Sequence, residues 1–252
     1  MIDMMDERKN RILSFMREKS YKPLKLQELA AVLDVPAEDK TALEELLDEM
    51  GREGLIIRTH KGRYGVPERM GLVVGKFQGH SQGFGFVIPD VGDEDVFIPA
   101  NAINGAMNGD RVIASLGGNT QNERHKEGEI IQILEHVNKT IVGKFEESVH
   151  FGFVTPDHVR LSGDIFIPKD YIDGAKQGQK VVVEITKWPE KGRNAEGRII
   201  EVLGDEHEKG VDVMSIIRAY AIPYEFPDQV MKEARTMPAE VTKEECRNRR
   251  DL

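Results

Sequence analysis

Cysteine, aromatic residues and surplus positive charge are all scarce in this chain. Its 252 residues include one cysteine, Cys246, and one tryptophan, Trp188, and aromatics make up 6%. A lone cysteine forms no internal disulfide and cannot anchor a Cys/His zinc cluster. No run of about 18 apolar residues is present, so no membrane-spanning helix is expected. The opening Met1-Ile-Asp-Met-Met-Asp6 is acidic and no apolar stretch follows it, unlike a secretory leader. Together with the single cysteine this points to a reducing, cytoplasmic setting. The net charge is −9. Lys+Arg against Asp+Glu run 13 to 14 over residues 1–70, 4 to 9 over 71–137, 10 to 10 over 138–204 and 8 to 11 over 205–252. No segment carries a broad positive field. Any nucleic-acid binding must rest on local placement of charge and on base stacking.

What the chain does have is an internal repeat. Val74-Gly-Lys-Phe77 returns as Val142-Gly-Lys-Phe145, and Phe84-Gly-Phe-Val-Ile-Pro-Asp90 as Phe151-Gly-Phe-Val-Thr-Pro-Asp157. Asp95-Val-Phe-Ile-Pro99 returns as Asp164-Ile-Phe-Ile-Pro168, Gly105-Ala-Met-Asn-Gly109 as Gly174-Ala-Lys-Gln-Gly178, and Glu127-Gly-Glu-Ile-Ile131 as Glu196-Gly-Arg-Ile-Ile200. The offsets are 68, 67 and 69 residues, with the small indels in loops. Each copy reads as five short strands separated by Gly, Asp, Asn and Pro clusters. The first copy places them near 72–77, 84–89, 96–99, 111–116 and 128–134. The second places them near 141–145, 151–156, 165–168, 180–187 and 198–203. Five strands in so short a unit fit a closed OB-type barrel, whereas a sandwich wants about seven.

The flanks differ. Ile12, Phe15 and Met16 form one helical stripe, Leu26, Leu29, Ala30 and Leu33 a second, and Leu43, Leu46, Leu47 and Met50 a third. Gly51 and Gly54 are expected to end the third helix. A hairpin follows, Leu55–Thr59 and Arg63–Val66 around His60-Lys-Gly62. Three helices and a hairpin make a winged helix-turn-helix. DNA reading is its sharpest interpretation, but Glu44, Glu45, Asp48, Glu49 and Glu53 crowd the third helix and would repel phosphate, Lys22 and Lys25 notwithstanding. After residue 204, Gly210-Val-Asp-Val-Met214 leads into a short helix, Asp228–Arg235 reads as helical, and Pro223, Pro227 and Pro238 punctuate a connector. The expected organisation is a winged helix over 1–69, barrels over 70–137 and 138–204, and a connector over 205–252. The fold class is mainly β with a helical N-terminal domain.

Eight of the ten Phe lie in the repeats. Residues two apart on a strand share a face. Phe84 and Phe86 therefore oppose Gly83, Gly85 and Val87, and Phe97 opposes Val96 and Ile98. If the β-branched residues fill the barrel, Phe84, Phe86 and Phe97 form one exposed platform, and Phe151, Phe153 and Phe166 a second. The opposite reading buries the Phe and exposes a Gly/Gly/Val face. A solvated face with no polar residue argues against it. Exposed rings beside backbone-tracking charge hold single strands by stacking. Lys76 and Lys144, in the repeated Val-Gly-Lys-Phe blocks, and His80 beside the first platform complete the candidate RNA-binding set.

Gly83-Phe-Gly-Phe-Val87 resembles the first RNA-binding motif of cold-shock domains, and Val96-Phe-Ile-Pro99 the second. His150-Phe-Gly-Phe-Val154 and Ile165-Phe-Ile-Pro168 are weaker copies. The order of winged helix, two cold-shock domains, Gly210-Val-Asp-Val-Met-Ser-Ile-Ile-Arg218 and the closing Arg249-Arg-Asp-Leu252 resembles the ribonuclease R exoribonucleases of the ribonuclease II superfamily, over essentially the whole chain. The resemblance implies processive 3′-to-5′ degradation of RNA, including structured RNA with single-stranded 3′ ends. In the family, the cold-shock domains guide the strand to a magnesium site held by an aspartate cluster. No matching cluster stands in this sequence. Asp90, Asp93 and Asp95 fit a polar turn, so no catalytic residue and no cofactor is assigned to this chain, and magnesium belongs to the catalytic domain the chain stops short of. The charged Arg-Asp-Leu ending is read as the end of a fragment.

Other candidates are weaker. The histidines show no metal-ligand spacing, and Gly79–Gly85 lacks the Gly-Lys-Ser/Thr of a P-loop. His150 stands beside the second platform, and Trp188 reads as a packing residue. Three functional readings remain at this point: an RNA-guiding region of an exoribonuclease, a non-catalytic RNA chaperone or DNA-linked regulator, and a pair of protein-docking barrels.

Overall fold

The computed structural model describes residues 2–117, 126–161, 163–190, 192–224 and 226–237. Cys246, Pro238, His125 and the closing Arg249-Arg-Asp-Leu252 lie outside them. The N-terminal region runs α1 (Ile2–Arg17), β1 (Leu24–Lys25), α2 (Leu26–Val32), α3 (Lys40–Arg52), β2 (Ile57–Arg58) and β3 (Arg63–Gly65). The three apolar stripes converge as expected: Met16, Leu29, Leu47, Met50, Ile56 and Tyr64 are buried together.

Two local features depart from the sequence reading. The hairpin is part of a three-stranded sheet, β1-β3-β2, because Leu24 and Lys25 pair with Tyr64 and Arg63. Two residues are too few to show a strand period. Gly51 also does not end α3, which runs on to Arg52. The stop is Gly54 at φ +74°, where Leu55 N–H reaches Met50 O and Gly54 N–H reaches Gly51 O. That pair of bonds closes a helix end through a left-handed residue, the role glycine fills without strain.

The first repeat folds as β4 (Leu72–Gly79), β5 (Gly85–Pro89), β6 (Val96–Ile98), β7 (Arg111–Leu116) and β8 (Lys126–Glu135), closed in the order β4-β5-β6-β8-β7. The second is β9 (Thr140–Glu147), β10 (Phe151–Pro156), β11 (Ile165–Pro168), β12 (Gln179–Lys187) and β13 (Glu196–Asp205), closed as β10-β11-β13-β12-β9. In each, the first strand pairs with the second and fourth, and the third pairs in parallel with the fifth. This is OB connectivity, and closure leaves no open sheet edge. Then α4 (Val211–Ala219) packs on the second barrel, tied by Arg218 to Glu201 at 2.5 Å, and α5 (Asp228–Thr236) follows.

The barrels are locked together. Met107, on the β6–β7 connection of the first, is buried in the core of the second. Three residues on, the fully buried Asp110 accepts hydrogen bonds from the backbone N–H of Met107 (2.8 Å) and of Val137 (3.1 Å), and contacts His136 Nδ1 at 2.8 Å. His136 stacks on Trp188 of the second barrel, ring centroids 3.7 Å apart and planes 6° from parallel. Trp188 therefore packs, as its position at a strand end suggests.

Candidate nucleic-acid interface

The repeated motifs interlock inside each barrel before they present anything outside. Phe77, on β4, is buried, and its ring fills the space beneath Gly85 on β5, where any Cβ would collide with it. Phe145 and Gly152 repeat the arrangement. The Gly of Phe-Gly-Phe is thus the socket for the Phe of Val-Gly-Lys-Phe. Val87, Val96 and Ile98 are at most 1% exposed and fill the rest of the first interior. With Gly85 and Val87 facing in, strand alternation turns Phe84 and Phe86 out, and Phe97 joins them opposite Phe86.

All six flanking rings are half-buried and packed on one another. In the first triad the centroids lie 5.9 Å apart for Phe84–Phe86, 5.6 Å for Phe84–Phe97 and 5.6 Å for Phe86–Phe97. In the second they lie 5.3 Å apart for Phe151–Phe153, 5.6 Å for Phe151–Phe166 and 5.9 Å for Phe153–Phe166. The tilted and edge-on geometry is what aromatic quadrupoles prefer, and it holds each triad as a stiff surface.

The surroundings of the triads are not alike. His80 stacks on Phe84 at 4.3 Å and 9°, adding a fourth ring to the first platform. Its Nδ1 accepts the Gln82 N–H at 3.2 Å, so the neutral ring carries its proton on Nε2, a donor. Lys76 is exposed on the same outer face, across from Ile88, and the neutral Gln78 stands opposite Phe86. In the second barrel Glu146 stands opposite Phe153, and Lys144 is held by Glu206 at 2.6 Å. The hydrogen bond with Glu206 raises the Lys144 ammonium above its ordinary value and lowers the carboxyl of Glu206. His150 is exposed at the end of the second platform.

A cleft of about 540 Å³ separates the first platform from the loops of the second barrel. One wall carries His80 and Phe84; the other carries Arg160, from the β10–β11 loop, and Arg193, from the β12–β13 loop. Glycines allow the close fit at its base. A Cβ on Gly79 would lie 2.7 Å from the Arg160 carbonyl oxygen, and one on Gly105 would collide with that of Pro189. Sequence reasoning singles out neither arginine, because both sit in loops outside the repeated blocks. The signal available was their place in the loops that flank the binding face of an OB barrel.

Among the described residues no group of three His, Cys, Asp or Glu side chains is placed to hold a divalent metal. Asp90 is committed to Arg111 at 2.6 Å, while Asp93 and Asp95 are exposed on the loop beyond it. The described residues thus hold no carboxylate cluster of the kind that the sequence resemblance implies for the family's magnesium site. No helix among the described residues is long and apolar enough to cross a membrane.

Comparison with known proteins fits this geometry. The Ribonuclease B OB domain matches residues 75–133, and the cold shock domain matches residues 153–227. Ribonuclease R of Thermotoga maritima is 34% identical over 251 residues, covering 97% of this chain and 34% of that protein. Ribonuclease R of Escherichia coli is 36% identical over 236 residues, covering 93% of this chain and 29% of that protein. The chain thus spans about a third of the length of these curated relatives. In fold it is similar to Mycoplasma genitalium RNase R, solved in complex with ribose-methylated single-stranded RNA, with a TM-score of 0.60 at 17% identity over 67% of this chain and 27% of that one. Over the length it covers, this chain is homologous to ribonuclease R, in the part of that protein built from tandem OB-fold and cold-shock barrels.

Proposed function

We propose that this chain is the RNA-guiding region of a cytoplasmic 3′-to-5′ exoribonuclease, gripping single-stranded RNA, including the single-stranded 3′ ends of structured RNA, on its two aromatic platforms. The observation that carries the reading is the pair of matching triads, Phe84/Phe86/Phe97 and Phe151/Phe153/Phe166, turned outward from cores that Val87, Val96 and Ile98 fill in the first barrel and Val154, Ile165 and Ile167 in the second. Outward rings that are not needed inside are available to bases, and each stacked base is worth about 1–3 kcal/mol. Bases paired in a duplex hide their faces, so single strands are preferred. The acidic α3, with its Glu49 and, just past its end, Glu53 tied to Lys9 at 2.7 Å each, gives no support to DNA reading by the N-terminal region.

Phosphodiester hydrolysis, in this reading, belongs to the magnesium-bearing catalytic domain that the family resemblance implies. The test is a titration of a labelled oligouridine and of its duplex with the whole chain, with added magnesium, followed by gel analysis. Tighter binding of the single strand with no shortening of it is the expected result. Equal binding of duplex and single strand, or shortening from the 3′ end that a chelator stops, overturns the reading.

A further inference from the structure

The cleft between the barrels has a shape and a charge that the platforms alone do not explain. It joins them: His80 and Phe84 belong to the first platform, while the loop bearing Arg193 leads through Ala195, whose carbonyl accepts the N–H of Phe166, into the second. Its volume, about 540 Å³, lies within the range of small-ligand sites. The exposed His80 ring carries the Phe84 stack towards the opening, and its Nε2–H is not used by the bond to Gln82. Across the cleft, Arg160 and Arg193 are exposed, and neither enters an ion pair among the described residues. Glu190 supplies the opposing charge, in the same tight turn as Arg193, so cations outnumber it two to one along the wall.

We propose that this cleft is a nucleotide subsite, in which one base of an RNA strand stacks on His80 while its flanking phosphates lie against Arg160 and Arg193. It rests on the reading of the platforms as RNA-binding, and adds that they serve one continuous strand rather than two separate ones. A planar ring on one wall and two guanidiniums on the other match a nucleotide's base and phosphate. Arg is suited to the task because its planar fork addresses phosphate oxygens in pairs. The locked junction, with Met107 in the second core and His136 on Trp188, holds the two walls at fixed separation.

The test uses the whole chain and two oligouridines, one of about four nucleotides, within the reach of one OB fold, and one of about twelve. Arg160→Ala/Arg193→Ala should weaken the longer strand about tenfold. It should also lower the slope of log affinity against log salt by about 1.4, two single-strand phosphate contacts. The short strand should bind as before. Equal affinity and slope for the longer strand in parent and variant overturns the subsite and leaves the platforms standing. No binding of either strand by the parent overturns both. A measurement without substitutions guards against a misfolded variant: a 4-thiouridine twelve-mer, irradiated on the unaltered chain, should cross-link to peptides containing His80 or Arg160. Cross-links confined to other peptides overturn the subsite.

Discussion

The two barrels share a fold, a register and a nearly congruent triad of rings, yet they set those rings in opposite electrical surroundings. Residues 71–137 hold 4 cationic and 9 acidic side chains, residues 138–204 hold 10 of each. By total charge the second barrel is the better RNA surface. By local placement it is the worse, since Glu146 replaces Gln78 beside the rings and Glu206 covers Lys144, while Lys76 is exposed. Screening decides between the two measures. At physiological salt the Debye length is about 8 Å, so side chains touching the platform outweigh those across the barrel. The first platform is therefore expected to be the stronger one, with Arg160 and Arg193 across the cleft supplying cations from its neighbour.

The largest expected effects are those on which the barrels should agree. Phe77→Ala and Phe145→Ala each empty the socket over a Gly and should cost about 3–5 kcal/mol of stability, seen as an early thermal or urea transition. If either variant melts like the parent, the interlocking of the two motifs described above is wrong. Next come the rings outside. Phe84→Ala, Phe86→Ala and Phe97→Ala should each weaken single-stranded RNA binding by about 1–3 kcal/mol with little change in melting. The matching changes at Phe151, Phe153 and Phe166 should fall at the lower end of that range or below it. Val96→Ala and Ile98→Ala are the controls, lowering the melting temperature and sparing the RNA affinity of the folded fraction. Equal losses from the two triads would erase the ranking of the platforms.

Much of this was legible without coordinates, because the information is periodic. The repeat announced two barrels, and alternation along Phe84-Gly-Phe-Val87 and Val96-Phe-Ile98 assigned the faces that the fold displays. What escaped was whatever depends on segments distant in sequence. Met107 looks like an ordinary turn residue in Gly105-Ala-Met-Asn-Gly109, and its counterpart is Lys176; nothing local says that it enters the other barrel's core. Arg160 and Arg193 gain meaning only when two loops meet the first platform. Lys144 matched Lys76 in sequence and differs from it in the fold, because Glu206 comes from beyond the last strand of its barrel.

A smaller effect exchanges the flank of one platform for that of the other. Glu146→Gln should tighten RNA binding, and Gln78→Glu should weaken it, each about two- to fivefold, the scale of one unit charge about 6 Å from a phosphate in water. Raising salt should shrink both changes. A Gln78→Glu chain that binds like the parent at low salt would mean that the strand does not pass beside Phe86.

The smallest effect separates the two repeated lysines. Lys76→Ala should lower the salt slope for a single strand by about 0.7, one phosphate contact. Lys144→Ala should leave the slope nearly unchanged, because in the native state Glu206 at 2.6 Å already takes the place of the phosphate. Mild acid cannot uncover Lys144. Glu206 has its carboxyl lowered by that lysine, so the pair parts at a lower pH than an unpaired carboxylate would protonate. Substitution is the way to release it: Glu206→Gln should raise the slope by about the same 0.7, since an ammonium without its carboxylate can recruit a phosphate. Glu206 also lies 3.7 Å from Lys180, which keeps Asp157 at 2.6 Å as its nearer partner, so the gain should be traceable to Lys144. The double variant Lys144→Ala/Glu206→Gln decides the matter. If it returns to the parent slope, the pair has been masking one phosphate contact. If it keeps the raised slope, the removed carboxylate was repelling the strand directly, and the second platform is weaker for its acids alone.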